Sequence, residues 1–161
     1  GHSGLDHLSN NLFFIGLFGS LYERYTSGRT FLLTFVAAAL FANLTAFIFF
    51  PTSTVIGASG GAFGILAALA VMKPDQIGLV LGVPLPMWAV LGIYTFINLA
   101  GITGVSNTAH EAHLFGMLVG GAVGFYLLDE EEKQREQTDE EDTEVSNWRE
   151  RIQQWEEKWM K

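Results

Sequence analysis

From about Thr30 to Phe50 the chain carries no charge, and the run then stops at Pro51. Roughly 20 apolar residues rising about 1.5 Å each match the ~30 Å hydrocarbon core of a bilayer, so this stretch reads as a transmembrane helix. Four further apolar runs fit the same scheme. The first extends from about Leu8 to Tyr22 and ends at Glu23-Arg24. The third runs from about Ser59 to Met72 and stops at Lys73-Pro74-Asp75. Pro84 and Pro86 introduce the fourth, Met87 to Ala100, with Ile77-Gly78-Leu79-Val80 as a candidate earlier start. The fifth begins near Ala109 and ends at Leu128. The expected fold is all-α, a polytopic membrane bundle with five visible spans.

Charge divides the chain into two unlike parts. Up to Leu128 there are four acids (Asp6, Glu23, Asp75, Glu111) and three bases (Arg24, Arg29, Lys73), a net of −1. From Asp129 onward thirteen acids and six bases give −7, and the two sum to the overall −8. The mean hydropathy of +0.27 therefore averages a membrane-like body with a soluble acidic tail. Nothing resembles the basic stripe that nucleic acid requires. The absence of cysteine rules out disulfides, a thiolate zinc site and a cysteine nucleophile. The opening Gly1-His2-Ser3 has neither a basic n-region nor a cleavage site, so it does not read as a signal peptide, and the chain is expected to be an internal piece of a longer protein.

All three bases of the body lie in the connections after the first and third runs. The positive-inside rule places those connections and the tail in the cytoplasm. Runs one, three and five then cross from outside to inside and share an outer end. Those ends hold the polar residues a bilayer would otherwise reject. His7 and Asn11 stand at i and i+4 in the first run, Ser59 opens the third, and His113 lies one turn into the fifth. A third run of about 14 residues spans only ~21 Å, so Ser59 is expected below the outer surface, where irregular backbone needs a polar cavity.

Gly57-Ala58-Ser59-Gly60-Gly61 fits the G-x-S-x-G pattern that exposes a nucleophilic serine on a sharp turn. By itself it equally fits small residues that let two membrane helices approach closely. Gly60 with Gly64, and Gly116 with Gly120 and Gly124, form small-residue edges on the third and fifth runs. His113 falls on the same helical face as Gly116 and Gly120, so that face is expected to meet Ser59's helix. Phe63, one turn below Ser59, is placed either under the imidazole or in ordinary core or lipid contact. Thr108 and Glu111 fit a capping box.

Taken together, His7-x-x-x-Asn11, Gly57-Ala58-Ser59-Gly60 and Ala112-His113-x-x-Gly116-x-x-x-Gly120, in that order, resemble the rhomboid intramembrane serine proteases. The resemblance covers about Gly1 to Leu128. It implies a Ser59–His113 catalytic dyad, with His7, Asn11 and the Ser59 backbone N–H as oxyanion donors, and His2 matches a further histidine often seen there. Gly57, Gly60, Phe63, Gly116 and Gly120 are candidate supporting residues. The family core has six spans; the first, and the long loop with a Trp-Arg motif that follows it, are not visible here. Either the piece begins late or this member is minimal.

Such chemistry calls for no metal and no cofactor. A serine hydroxyl becomes nucleophilic when an imidazole takes its proton, and the developing oxyanion needs prepositioned donors. Glu111 faces about 160° away from His113 around a helix, so a dyad without an acid is expected. The implied partners are the bilayer and the transmembrane segments of other proteins, cleaved near the outer surface of the cell membrane. Two alternatives stand beside this reading. One is a histidine-lined metal transporter or channel using His2, His7, His110, Glu111 and His113. The other is a rhomboid-like protein that binds transmembrane segments without cutting them.

Asn43, Thr45, Thr95 and Asn98 are expected to hydrogen-bond between helices, at about 1 kcal/mol each. Residues 129–144 read as an acidic flexible linker. Beyond it Val145, Trp148, Ile152, Trp155 and Trp159 recur at spacings of 3, 4, 3 and 4, an amphipathic helix over 145–161 with Asn147 and Glu150 as its cap. A membrane surface, a partner helix or the body of the protein would each accept that face.

Overall fold

The computed structural model describes residues 3–49, 57–80, 82–102 and 108–160. The side chains of residues 3–7, 108 and 109 fall outside the description. Helical backbone dominates. It begins with α1 (Ser3–Phe14), a π-helical turn (Ile15–Gly19) and α2 (Ser20–Glu23), which follow one another without a break. Next come α3 (Gly28–Phe49), α4 (Ser59–Met72), a hairpin of β1 (Ile77–Val80) and β2 (Val83–Pro86), α5 (Met87–Ile102) and α6 (Thr108–Trp159). Contacts divide the chain into a unit Gly1–Tyr126 and a unit Leu127–Lys161.

Among the described residues α3 and α6 are long and apolar enough to cross a membrane, while α4 and α5 are shorter apolar helices. The outward side chains of α3, including Leu32, Leu33, Leu40, Leu44 and Phe47, are more than half exposed. So continuous an apolar surface is unfavourable in water and matches lipid contact.

α4 is the centre of the first unit. Of its fourteen residues eleven are buried, from Gly60 to Met72, so it is apolar on every side as an interior helix must be. Its first turns have almost no side chains, and neighbouring backbones occupy that space. A Cβ on Gly61 would stand 2.7 Å from the Phe35 carbonyl oxygen of α3. On the other side, a Cβ on Gly116 or Gly120 would run into the backbone of Gly60 or Gly64. The glycine face of α6 therefore meets α4 as its spacing predicts, and the contact is close enough to exclude even a methyl group. A buried Tyr22–Thr34 hydroxyl pair at 3.1 Å ties the end of the first helical path to α3.

The earlier start considered for the fourth span is overturned. Ile77–Val80 is a strand, paired antiparallel with Val83–Pro86 from Ile77↔Pro86 to Val80↔Val83. The reversal falls at Gly82, whose φ of +80° suits a residue without a Cβ. Pro84 pairs with Leu79 inside β2, and Pro86 is the last residue of the strand, immediately before α5 starts at Met87.

In the second unit, helical backbone also runs through residues 129–144, where irregular structure is expected from the charge density. Glu, Gln, Lys and Arg are strong helix formers, and the Asp129–Lys133 pair is spaced at i and i+4. With no new helix start near Asn147, the Asn147–Glu150 cap does not form.

Candidate active site

Ser59 is the first residue of α4, so its hydroxyl stands at the helix entrance instead of inside a helical turn. The approach to that position is held from α3. Asn43 Nδ2 donates to the Gly57 carbonyl at 3.2 Å, and the Gly57 N–H donates to Asn43 Oδ1 at 3.2 Å. A single carboxamide thus occupies both backbone groups of the glycine two residues ahead of the serine. The expected glue between helices is, at Asn43, a clamp on the loop.

His113 comes from the second turn of α6. Its Nε2 is 2.9 Å from Ser59 Oγ. Its Nδ1 is 2.8 Å from Oδ1 of Asn98, a residue of α5 that is 2 % exposed. The Asn98 amide can be oriented by its surroundings, because its Nδ2 donates to the Tyr94 carbonyl at 2.8 Å, leaving the oxygen toward the imidazole. An amide oxygen only accepts, so the proton of His113 sits on Nδ1. Nε2 then presents its lone pair to the Ser59 hydroxyl. This chain of three side chains needs no carboxylate. His110, one turn earlier on α6, points its Nδ1 at the same oxygen from 3.1 Å.

Phe63 lies beneath this pair. Its ring centroid is 4.3 Å from that of His113 with 34° between planes, so the two rings are in contact. Phe14 and Tyr94 complete an aromatic cluster around Phe63, at 5.0 and 5.6 Å. Above the cluster opens a cavity of about 620 Å³ whose lining includes Asn11, Ser59, His113, Phe63 and Tyr94. The last turns of α1, the first turns of α4 and the second turn of α6 therefore line one space. It is mostly apolar with a few polar groups at one place, as substrate clefts are.

The remaining predicted site residues divide clearly. Gly57 and Gly60 hold the serine's setting, and Gly116 and Gly120 hold His113's helix against it. The His7 side chain and all of His2 lie outside the described residues. Glu111 is turned away from His113, and its Oε2 is buried without a hydrogen-bond partner among the described residues. Its expected capping partner, the Thr108 side chain, also falls outside the description. Among the described residues no three histidine or carboxylate side chains converge as metal ligands would.

A profile of the Rhomboid domain matches residues 1–130. The chain belongs to the rhomboid family. This rhomboid is 34% identical over 121 residues to Rhomboid protease GluP of Bacillus subtilis (strain 168), which covers 74% of this chain and 23% of the relative. It is 36% identical over 73 residues to Rhomboid-like protein 11, chloroplastic, of Arabidopsis thaliana, covering 45% and 26%. It thus spans about a quarter of the length of these curated relatives. No solved structure matches it at comparable significance. Family membership and the apolar helices together make it a membrane protein.

From the sequence Asn98 is expected to hydrogen-bond between helices without a named partner, and the structure makes that partner His113. The signal for its place beside His113 is weak, because Thr95 on the same helix is an equal candidate and the histidine lies fifteen residues further along the chain.

Proposed function

We propose that this rhomboid is an intramembrane serine endopeptidase that cleaves transmembrane segments of other membrane proteins with Ser59 as nucleophile and His113 as base. The observation that carries the reading is the 2.9 Å contact between Ser59 Oγ and His113 Nε2 at the floor of an accessible cleft. Such a contact is the recurring signature of an activated serine.

In the first step Ser59 Oγ bonds to the carbonyl carbon of the scissile peptide while its proton passes to His113 Nε2. The imidazolium then donates that proton to the leaving amine as the carbon–nitrogen bond breaks, leaving an acyl ester on Ser59. Water attacks the ester by the same route, giving up its proton to Nε2, which returns it to Ser59 Oγ. Asn98 keeps Nδ1 protonated throughout, so that Nε2 alone exchanges protons. The oxyanion formed in each half-reaction is met by the Ser59 backbone N–H, Asn11 and His7. The site opens to the outer side of the cell membrane in this reading, with five spans and a cytoplasmic tail.

Two predictions separate these roles. Asn11→Ala is expected to lower turnover by about 2.7–4 kcal/mol of transition-state stabilisation, as for other oxyanion donors. Apparent substrate affinity should hardly change, because the oxygen gains its charge only after binding. A packing role would instead lower thermal stability and leave turnover per folded molecule near wild type. Measuring both on one preparation distinguishes them.

Asn98→Leu removes the acceptor that fixes the imidazole. The expected result is a fall in kcat together with a loss of about 1–3 kcal/mol in stability, the range for a buried donor left unpaired. Asn98→Gln keeps both the amide acceptor and the amide donor and should recover part of the turnover. Equal loss in both variants would contradict the positioning role, since the tautomer argument requires only the acceptor.

A further inference from the structure

The helical stretch from Val145 to Trp159 has an apolar edge that no other described residue covers. Val145, Trp148, Ile152, Trp155 and Trp159 are 48 to 65% exposed, and three of the five are tryptophan. Their spacing of 3, 4, 3 and 4 is the a and d pattern of a heptad, with Val145, Ile152 and Trp159 at a and the other two at d. Such a seam is narrow. A helix lying on lipid carries a wider apolar face, whereas a two-residue stripe per heptad matches the groove of a like helix. On the opposite face, Ser146, Asn147, Glu150, Gln153, Gln154 and Glu157 are all polar.

The flanking charges identify the partner. In this register Glu144 and Arg151 occupy g positions, and Arg149 and Glu156 occupy e positions. In a parallel pair each g residue faces the e residue of the next heptad on the other helix. Glu144 then meets Arg149, Arg151 meets Glu156, and both pairs recur across the two-fold axis. Each is attractive. Arg151 already lies 4.7 Å over the Trp148 ring, with its stem along the edge of the seam. Val145 and Ile152 are β-branched at a, as in two-stranded parallel coils, with Trp148 and Trp155 standing at d where such coils usually carry Leu.

From this pattern we propose that the 145–159 segment is a homodimerisation element, pairing in parallel and in register with the same segment of a second copy of this chain. A seam of two heptads is too short to hold dilute soluble chains together. Two copies inserted alike in one bilayer present their tails on the same side, confined to a thin layer at the membrane surface. The proposal is independent of the catalytic reading.

The chain contains no cysteine, which makes the test clean. Full-length protein in lipid vesicles at low protein density would carry Val145→Cys, Ile152→Cys or Glu150→Cys, with mild oxidation and non-reducing electrophoresis as the readout. Both a-position variants should form disulfide-linked dimers, and the outward Glu150→Cys should stay at background. Arg151→Glu in the Ile152→Cys background places like charges together across the pair and should cut the dimer band about fivefold, which corresponds to roughly 1 kcal/mol. Adding Glu156→Arg should restore it. Cross-linking at 152 without 145 would mean an antiparallel pair and overturn the proposal. So would equal yields at 150 and 152, indifference to the charge swaps, or a monomeric cysteine-free chain whose tryptophans are quenched by brominated lipid.

Discussion

Ser59→Ala and His113→Ala are each expected to reduce cleavage of a reconstituted single-span substrate by a factor on the order of 10⁴ to 10⁶, or about 5.4–8.2 kcal/mol in the barrier. The size follows from what each side chain supplies. Without Oγ there is no atom to form the acyl ester, and without Nε2 the hydroxyl keeps its proton and remains a poor nucleophile. The double variant should be no worse than either single one, because the two groups act as a unit across their 2.9 Å contact. Both variants should fold. Ser59 makes no side-chain cap on α4, and the glycine packing that holds α6 does not involve the imidazole.

Gly120→Leu is expected to have the other large effect, on the fold itself. A Cβ at this position falls on the Gly64 backbone, and a helix backbone cannot rotate away as a side chain can. Either α6 moves outward or the leucine is forced into strain, and the loss should reach or exceed about 3 kcal/mol, the upper part of the range for overpacking. Any outward shift of α6 also carries His113 away from Ser59, so turnover per folded molecule should fall with stability. Gly121→Ala is the control. Nothing lies within 4 Å of the Cβ it would add, and its unfolding midpoint and turnover should match wild type. Comparable losses in both variants would contradict the close α4–α6 contact.

The parts of this account that were legible beforehand share a property. Ser59, His113 and the glycines form short-range patterns on single helices, and helical geometry fixes which residues share a face. From that alone the glycine edge of α6 could be aimed at α4. Asn98 and Asn43 follow no such pattern. Their partners, the His113 ring and the Gly57 backbone, lie on other elements, and only the crossing of those elements brings them together. The hairpin escaped for a local reason: four apolar residues from Ile77 to Val80 suit a buried helix or a strand equally, and the turn at Gly82 is the deciding signal. Residues 129–144 involve a conflict between charge, which opposes compaction, and helix propensity, which needs no core to act locally.

The central claim is that His113 activates Ser59, and covalent labelling reads this without any knowledge of the natural substrate. Reconstituted wild-type protein treated with a fluorophosphonate should carry the label on Ser59, located by mass spectrometry of the proteolysed chain. His113→Ala should lose that label while retaining its unfolding midpoint. Labelling of Ser59 at wild-type rate in His113→Ala, or a label on another serine in the wild type, would contradict the account.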